Sequence, residues 1–331
     1  MFRGYAGLSL DGDHLDLSYR DRDAWPDMTP KGSVKSFAFD IGDPEAGPTV
    51  LLGLMTKVEG EDLDWKHSVD PVHHHGTDQF RMVAGGEWTV AGKSMPAGTY
   101  GFQEAGWVYQ EHPVHGGPVW TLLIMGDRRG SRSILRFKKD MATVIDGGEV
   151  GEAFGQPVEG EPYPHPAGDK GIAAVATTLG PCERGYLSGQ VGDLGRNGKP
   201  ETMTGILGDA TVGPAVHVLN TKANQTIIPA CVYPTELVLL VVGGACRVGD
   251  VEYSAGDMRV QRADVALDTV VAGPDGAEVL VVVGDRRAQP KLASAVAAPA
   301  WMGDVQRVLS ALDPVPGGIK GHRLRAGLAN A

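Results

Sequence analysis

The stretch Val69–Trp88, VDPVHHHGTDQFRMVAGGEW, sets three consecutive histidines directly before a segment that reads as a β-strand. A strand has a side-chain period of two, so Gln79, Arg81 and Val83 share one face while Phe80 and Met82 share the other. In the same extended geometry His73 and His75 point one way and His74 the other. The segment that follows, through KSMPAGTYGF, reads as turn, short strand, Pro/Gly turn and strand.

The rest of the chain supports an all-β reading. Its 331 residues include 47 glycines and 22 prolines, 42% of the residues are hydrophobic, and long amphipathic helical stretches are scarce. That composition predicts many short strands joined by turns, in a sandwich or barrel. A formal charge of −11 without a long basic run argues against nucleic acid and against an anionic membrane as partners. The N-terminal residues have no apolar core of signal-peptide length, and no run approaches the roughly 18 apolar residues of a membrane span. The expectation is a soluble cytoplasmic protein. Cys182, Cys231 and Cys246 form neither a disulfide framework nor a zinc motif and read as small buried side chains.

The chain also repeats itself. Gly126-Asp127-Arg128-Arg129 returns as Gly284-Asp285-Arg286-Arg287, an offset of 284 − 126 = 158 residues. The same offset carries Thr77 to Thr235, Gly85-Gly86 to Gly243-Gly244, Ala97-Gly98 to Ala255-Gly256 and Gln103 to Gln261. Upstream, Leu54–Lys57 matches Leu219–Lys222 with a longer offset, so the first copy holds an insertion that contains or abuts the histidines. PVWTLLIMGD and AEVLVVVGD are apolar runs bounded by turn residues, as buried strands are. TELVLLVVGG is apolar on both faces; one face fills a barrel and the other packs on the second copy or on another subunit. The boundaries expected are an N-terminal barrel over residues 1–140, a connection with edge strands over 141–212, a C-terminal barrel over 213–290 and an extension over 291–331. Within the extension, Asp304 is the expected cap of a short helix, Val305–Leu312, placed across a barrel mouth or domain junction.

These residues resemble the cupin superfamily. Its first motif is G-x5-H-x-H-x3,4-E-x6-G; this chain has His73-x-His75-x3-Gln79, then Gly86. Its second motif begins G-x5-P-x-G and ends in a histidine; this chain has Gly92 and Pro96-Ala97-Gly98, with Tyr109 near the histidine position. The resemblance covers about residues 50–138 and 213–288 and implies two double-stranded β-helix (jelly-roll) barrels in tandem, a bicupin. It departs from the pattern twice, at Gln79 for glutamate and at Tyr109 for histidine.

The resemblance implies one divalent transition metal (Fe, Zn, Mn or Ni) on His73, His75 and Gln79. A further ligand comes from Glu111, His112 or His115, with Glu111 the better inward candidate by alternation unless a bulge reverses it. Arg81 in a barrel interior needs an anion, either a substrate carboxylate or enolate or a structural partner, Glu111 or Asp78. Tyr109 can donate a hydrogen bond or a proton, or simply pack. At the repeat offset His73, His75, Gln79 and Arg81 become Cys231, Tyr233, Leu237 and Leu239, so only the first barrel keeps a site. Two functions compete. One is a metal-dependent enzyme acting on a small enolisable or aromatic carbonyl substrate, of dioxygenase type or else an isomerase or lyase. The other is a non-catalytic binding or structural bicupin. A homodimer is a further expectation from the doubly apolar strands.

Overall fold

The computed structural model describes residues 6–7, 12–29, 31–59, 73–103, 105, 107, 109–114, 117–131, 133–136, 142–144, 176–177, 186–209, 211–295 and 297–310. The chain is all-β apart from 3₁₀ turns and one C-terminal helix, α1 (Trp301–Ser310). Two large sheets dominate. The first has seven strands, in the order Ala6–Gly7, Val34–Asp40, Thr49–Met55, Val119–Met125, Gln79–Gly85, Thr99–Gln103 and Tyr186–Gln190. The second has nine, built on Thr202–Ile206, Ala215–Thr221, Val270–Val283, Leu237–Val248 and Asp257–Gln261 and ending in His14–Ser18. Smaller three-stranded sheets close each half into a barrel.

Alternation explains how the halves join. Phe80, Met82, Tyr100, Phe102, Leu122 and Ile124 leave the first sheet on one face and meet Val216, Val218, Val238, Leu240, Leu280 and Val282 of the second in one buried core. Each such side chain contributes about 1.5–3 kcal/mol on burial, so this layer is the largest stabilising element. The opposite faces fill the two barrels. Val83 joins Trp88, Val90, Tyr109 and Val119 in the first. Leu237, Leu239 and Val241 join Val279, Val281 and Tyr233 in the second. The doubly apolar run Leu237–Val242 thus serves its own barrel and the other half of the same chain.

The repeat offset is a structural equivalence. Gln79 lies opposite Gln103 and, 158 residues on, Leu237 lies opposite Gln261. The Gly-Asp-Arg-Arg motif gains a physical reason. In each copy the aspartate accepts the backbone N–H of the second arginine (Arg129 or Arg287) at 2.9 Å. The first arginine reads backbone carbonyls of a loop between two neighbouring strands, Val34–Asp40 and Thr49–Met55 in the first half and Thr202–Ile206 and Ala215–Thr221 in the second. Arg128 donates to Ile41 at 2.7 Å and to Gly47 at 3.1 Å. Arg286, fully buried, donates to Leu207 at 2.6 Å, to Gly213 at 2.9 Å and to Asp209. The glycines permit close crossing: a Cβ on Gly126 would lie 2.6 Å from Gly208 N, and one on Gly284 2.7 Å from Gly42 N.

The N-terminal segment does not stay with its own half. His14–Ser18 pairs with Asp257–Gln261 at the edge of the second sheet, while Tyr186–Gln190 from the connection pairs with Thr99–Gln103 at the edge of the first. The halves therefore exchange edge strands, which contiguous boundaries drawn on the sequence do not convey. Cys231 and Cys246 are buried and free, and burial pushes their thiols up to about 11 and about 12. Cys182 lies outside the described residues.

The helix begins earlier than expected, at Trp301 rather than Val305. Turn bonds from Met302 and Gly303 to the Pro299 and Ala300 carbonyls start it, and Asp304 sits in its first turn. Trp301, Val305 and Val308 form its buried stripe on the second barrel. Trp301 lies 4.5 Å from His217, whose Nδ1 meets the Thr204 hydroxyl at 2.9 Å.

Burial pushes the His217 pKa down to about 3. Its folded value lies below the unfolded value near 6.5, so acid protonates the unfolded chain first. Stability is expected to fall as pH drops below about 6.5, by up to about 1.4 kcal/mol per pH unit from this histidine. His217→Gln should flatten that slope in denaturant titrations at pH 4–7. Arg286→Met strips donors from three buried carbonyls and should cost roughly 3 kcal/mol or more; Arg128→Met, at a more exposed site, should cost less.

Candidate functional site

Strand His73–His75 pairs with Ser133–Arg136, and His73 exchanges two 2.9 Å backbone bonds with Tyr109. That bridge sets the Tyr109 ring 4.5 Å from the His73 ring. His73 and His75 share a face with centroids 4.9 Å apart at 86°, and His74 is buried on the other face. The expected alternation therefore holds for the triplet, and all three imidazoles are buried.

His75 Nδ1 lies 2.8 Å from the Ser131 carbonyl. A carbonyl only accepts, so Nδ1 carries the proton and Nε2 keeps its lone pair, 3.5 Å from the Ser133 hydroxyl. Burial, with His73 alongside, holds the His75 pKa well below the ordinary histidine range. The ring is neutral at physiological pH, the form that ligates metals.

Next along the barrel wall, Gln79 Oε1 accepts the Tyr109 hydroxyl at 2.8 Å. The Arg81 guanidinium carbon sits 5.5 Å from the Tyr109 ring centre, and Trp107 stacks on that ring at 5.8 Å. Arg81 pairs with Glu111, and Glu111 also accepts Trp88 Nε1 at 3.2 Å. Of the partners open to Arg81, Glu111 is the one met. Asp78 points to the junction, where its carboxylate accepts Ala105 N–H at 2.9 Å and Gly208 N–H at 3.3 Å.

Register settles which residue of the Glu111–Pro113 strand faces inward. Glu111 lies opposite Val90, a first-barrel core residue, and His112 lies opposite Thr89. In the second barrel the partner of Val248 is Val270, the repeat equivalent of His112. The two barrels thus differ by one residue of register at this rung, and the slip turns Glu111 inward in the first. His115 lies outside the described residues.

Among the described residues no three His, Cys, Asp or Glu side chains gather as a ligand group. The expected carboxylate, Glu111, is held by Arg81 and Trp88. The residues fit an ion carried on His73, the neutral His75 imidazole and the Gln79 amide oxygen: the Ser131 carbonyl fixes the tautomer that leaves a ring nitrogen of His75 open. In the second barrel Cys231 faces Leu267, the equivalents of His73 and Tyr109, and the interior there is apolar at those positions. Sequence reasoning missed Ser131, Trp88 and Gln103 as parts of the site. Gln103 alone left a trace, as a position shared by both repeats.

No family model matches the chain, and no curated protein matches it. Solved structures do. Protein Ylba from E. coli is 14% identical over 85% of this chain and 95% of that chain, with a TM-score of 0.45. Salicylate 1,2-dioxygenase from Pseudoaminobacter salicylatoxidans is 14% identical over 82% of each chain, with a TM-score of 0.42. Oxalate decarboxylase from Bacillus subtilis is 12% identical over 86% of this chain and 78% of that chain, with a TM-score of 0.40. No helix among the described residues is long and apolar enough to cross a membrane.

The buried Arg81–Glu111 pair yields a stability test. Glu111→Gln leaves the guanidinium without a countercharge and should cost about 3–5 kcal/mol. Adding Arg81→Met removes the stranded charge, so the double variant should be more stable than Glu111→Gln alone in urea unfolding.

Proposed function

We propose that the first barrel is the site of a metal-dependent enzyme acting on a small carbonyl or enolisable compound, most simply a dioxygenase-type oxidoreductase. The reading is carried by the His73–His75 pair: two buried imidazoles at 4.9 Å, one locked by Ser131 in the ligating tautomer. His73 and His75, with the Gln79 amide oxygen, would hold the divalent ion. When bound, such an ion acts as a Lewis acid toward a substrate oxygen, and iron adds dioxygen chemistry.

The chain's own groups prepare the site. The three ligands are neutral, so they leave the ion's full charge to act on substrate. Gln79 is held in place by the Tyr109 hydroxyl, a proton donor on the ring that packs against His73. Trp107 and Trp88 line the same apolar cluster and exclude water, which strengthens every electrostatic contact inside. Arg81 is fixed by Glu111 beneath the Tyr109 ring, where its positive charge favours anionic character in a bound substrate. Proton transfer at a held enolate, as an isomerase or lyase requires, uses the same groups.

One observation favours the non-catalytic alternative: the inward carboxylate is spent on an ion pair instead of a ligand role. Elemental analysis separates the two. The enzyme reading expects the purified protein to carry stoichiometric Fe, Zn, Mn or Ni, with at least a tenfold drop in both His73→Ala and His75→Ala. A metal-free parent protein, after reconstitution with each of the four ions, points to the binder.

A further inference from the structure

Gln103 is the least expected residue in the first barrel. It is buried, and its Nε2 has no hydrogen-bond partner among the described residues. Leaving a buried amide donor unmet costs about 1–3 kcal/mol. Its neighbours tell which way it faces. Tyr100 and Phe102 on the same strand enter the core between the sheets, so Gln103 faces the barrel interior by alternation. It lies directly opposite Gln79, and Arg81 lies opposite Gly101 on the adjoining rung, which makes Gln103 and Arg81 diagonal neighbours. Arg81 Nη2 is the second buried donor there without a hydrogen-bond partner.

The second barrel supplies an internal control. Gln261, the repeat equivalent of Gln103, is saturated. Its Oε1 accepts Arg259 Nε at 2.9 Å, and its Nε2 reaches the Asp13 and Ala266 carbonyls at 3.4 Å. Arg259 stands opposite Leu239, whereas in the first barrel the arginine is Arg81 opposite Gly101. The arginine has changed strands within one rung. In the second barrel that placement closes the glutamine's hydrogen bonds internally. In the first it leaves two donors, Gln103 Nε2 and Arg81 Nη2, facing the interior that holds His73 and His75.

We infer that Gln103 and Arg81 recognise a carboxylate of the substrate, so that the substrate class is small carbonyl-containing carboxylates. Two donors on adjacent rungs match the two oxygens of one carboxylate. The Arg81 charge is already balanced by Glu111, so the incoming anion is balanced by the divalent ion. That clause rests on the metal reading above; the donor assignment does not.

The test uses pyruvate, a small molecule carrying both a carboxylate and an enolisable carbonyl, and methyl pyruvate, its neutral ester, by calorimetric titration of the full chain. Pyruvate should bind at least tenfold more tightly than the ester. Gln103→Met should abolish that preference with metal content unchanged, and should raise the thermal midpoint, because an unmet donor leaves the interior. Gln103→Glu, which sets a carboxylate where the donor was, should also lose pyruvate binding. Equal binding of acid and ester, preference retained in both variants, or a lowered midpoint in Gln103→Met would each overturn the inference. A metal-free parent that still prefers pyruvate through Gln103 keeps this assignment and removes the metal reading. A metal-loaded parent blind to the carboxylate does the reverse.

Discussion

Strand alternation against the shared core fixes the geometry of the site. Once Phe80, Met82, Tyr100 and Phe102 enter the layer between the sheets, Gln79, Arg81 and Gln103 have no choice but the barrel interior. A one-residue slip of the first strand would place Gln79 and Arg81 in an apolar core and Phe80 and Met82 in the barrel; a slip of the second would exchange Gln103 for Tyr100 and Phe102. The cost of that exchange holds the register, and the register holds the site. The exchanged edge strands add to this, since His14–Ser18 and Tyr186–Gln190 tie each sheet to the other half of the sequence.

Within that frame the two barrels have diverged by small steps. The backbone scaffold is kept: the Gly-Asp-Arg-Arg corner, the close glycine crossings and the cross-strand pairing of position 79 with 103 and of 237 with 261. The interiors are not kept. Two histidines and a tyrosine stand in one barrel where cysteine, tyrosine and leucine stand in the other. The arginine sits on opposite strands of the same rung, and the register beside Glu111 differs by one residue. The second interior is closed by its own side chains and by Trp301 of α1. The first has charge, unmet donors and imidazoles gathered on one wall, a costly arrangement for a barrel with no ligand.

Much of this was legible in the sequence. Glycine and proline content, apolar runs and the 158-residue repeat carried the two-barrel architecture, because these depend on local turn chemistry and period-two burial. The pairing of His73 with His75 followed from alternation alone. Other features depend on long-range register, which spacing does not encode. One of the exchanged edge strands, His14–Ser18, joins residues more than 200 positions apart. The choice between Glu111 and His112 turns on a one-residue slip relative to Thr89 and Val90. The Ser131 carbonyl that orients His75 is a backbone group, and no side-chain motif announces it. The helix start was misplaced because Asp304 looks like a cap while the turn is made by the carbonyls of Pro299 and Ala300.

The central claim is that His73, His75 and Gln79 converge on one ion inside the first barrel. X-ray absorption spectroscopy of the protein reconstituted with zinc tests it directly. The account predicts a first shell of nitrogen and oxygen with outer-shell scattering from two imidazoles, and loss of one imidazole in His75→Ala. A sulfur-containing shell, or an imidazole count unchanged in His75→Ala, would contradict it.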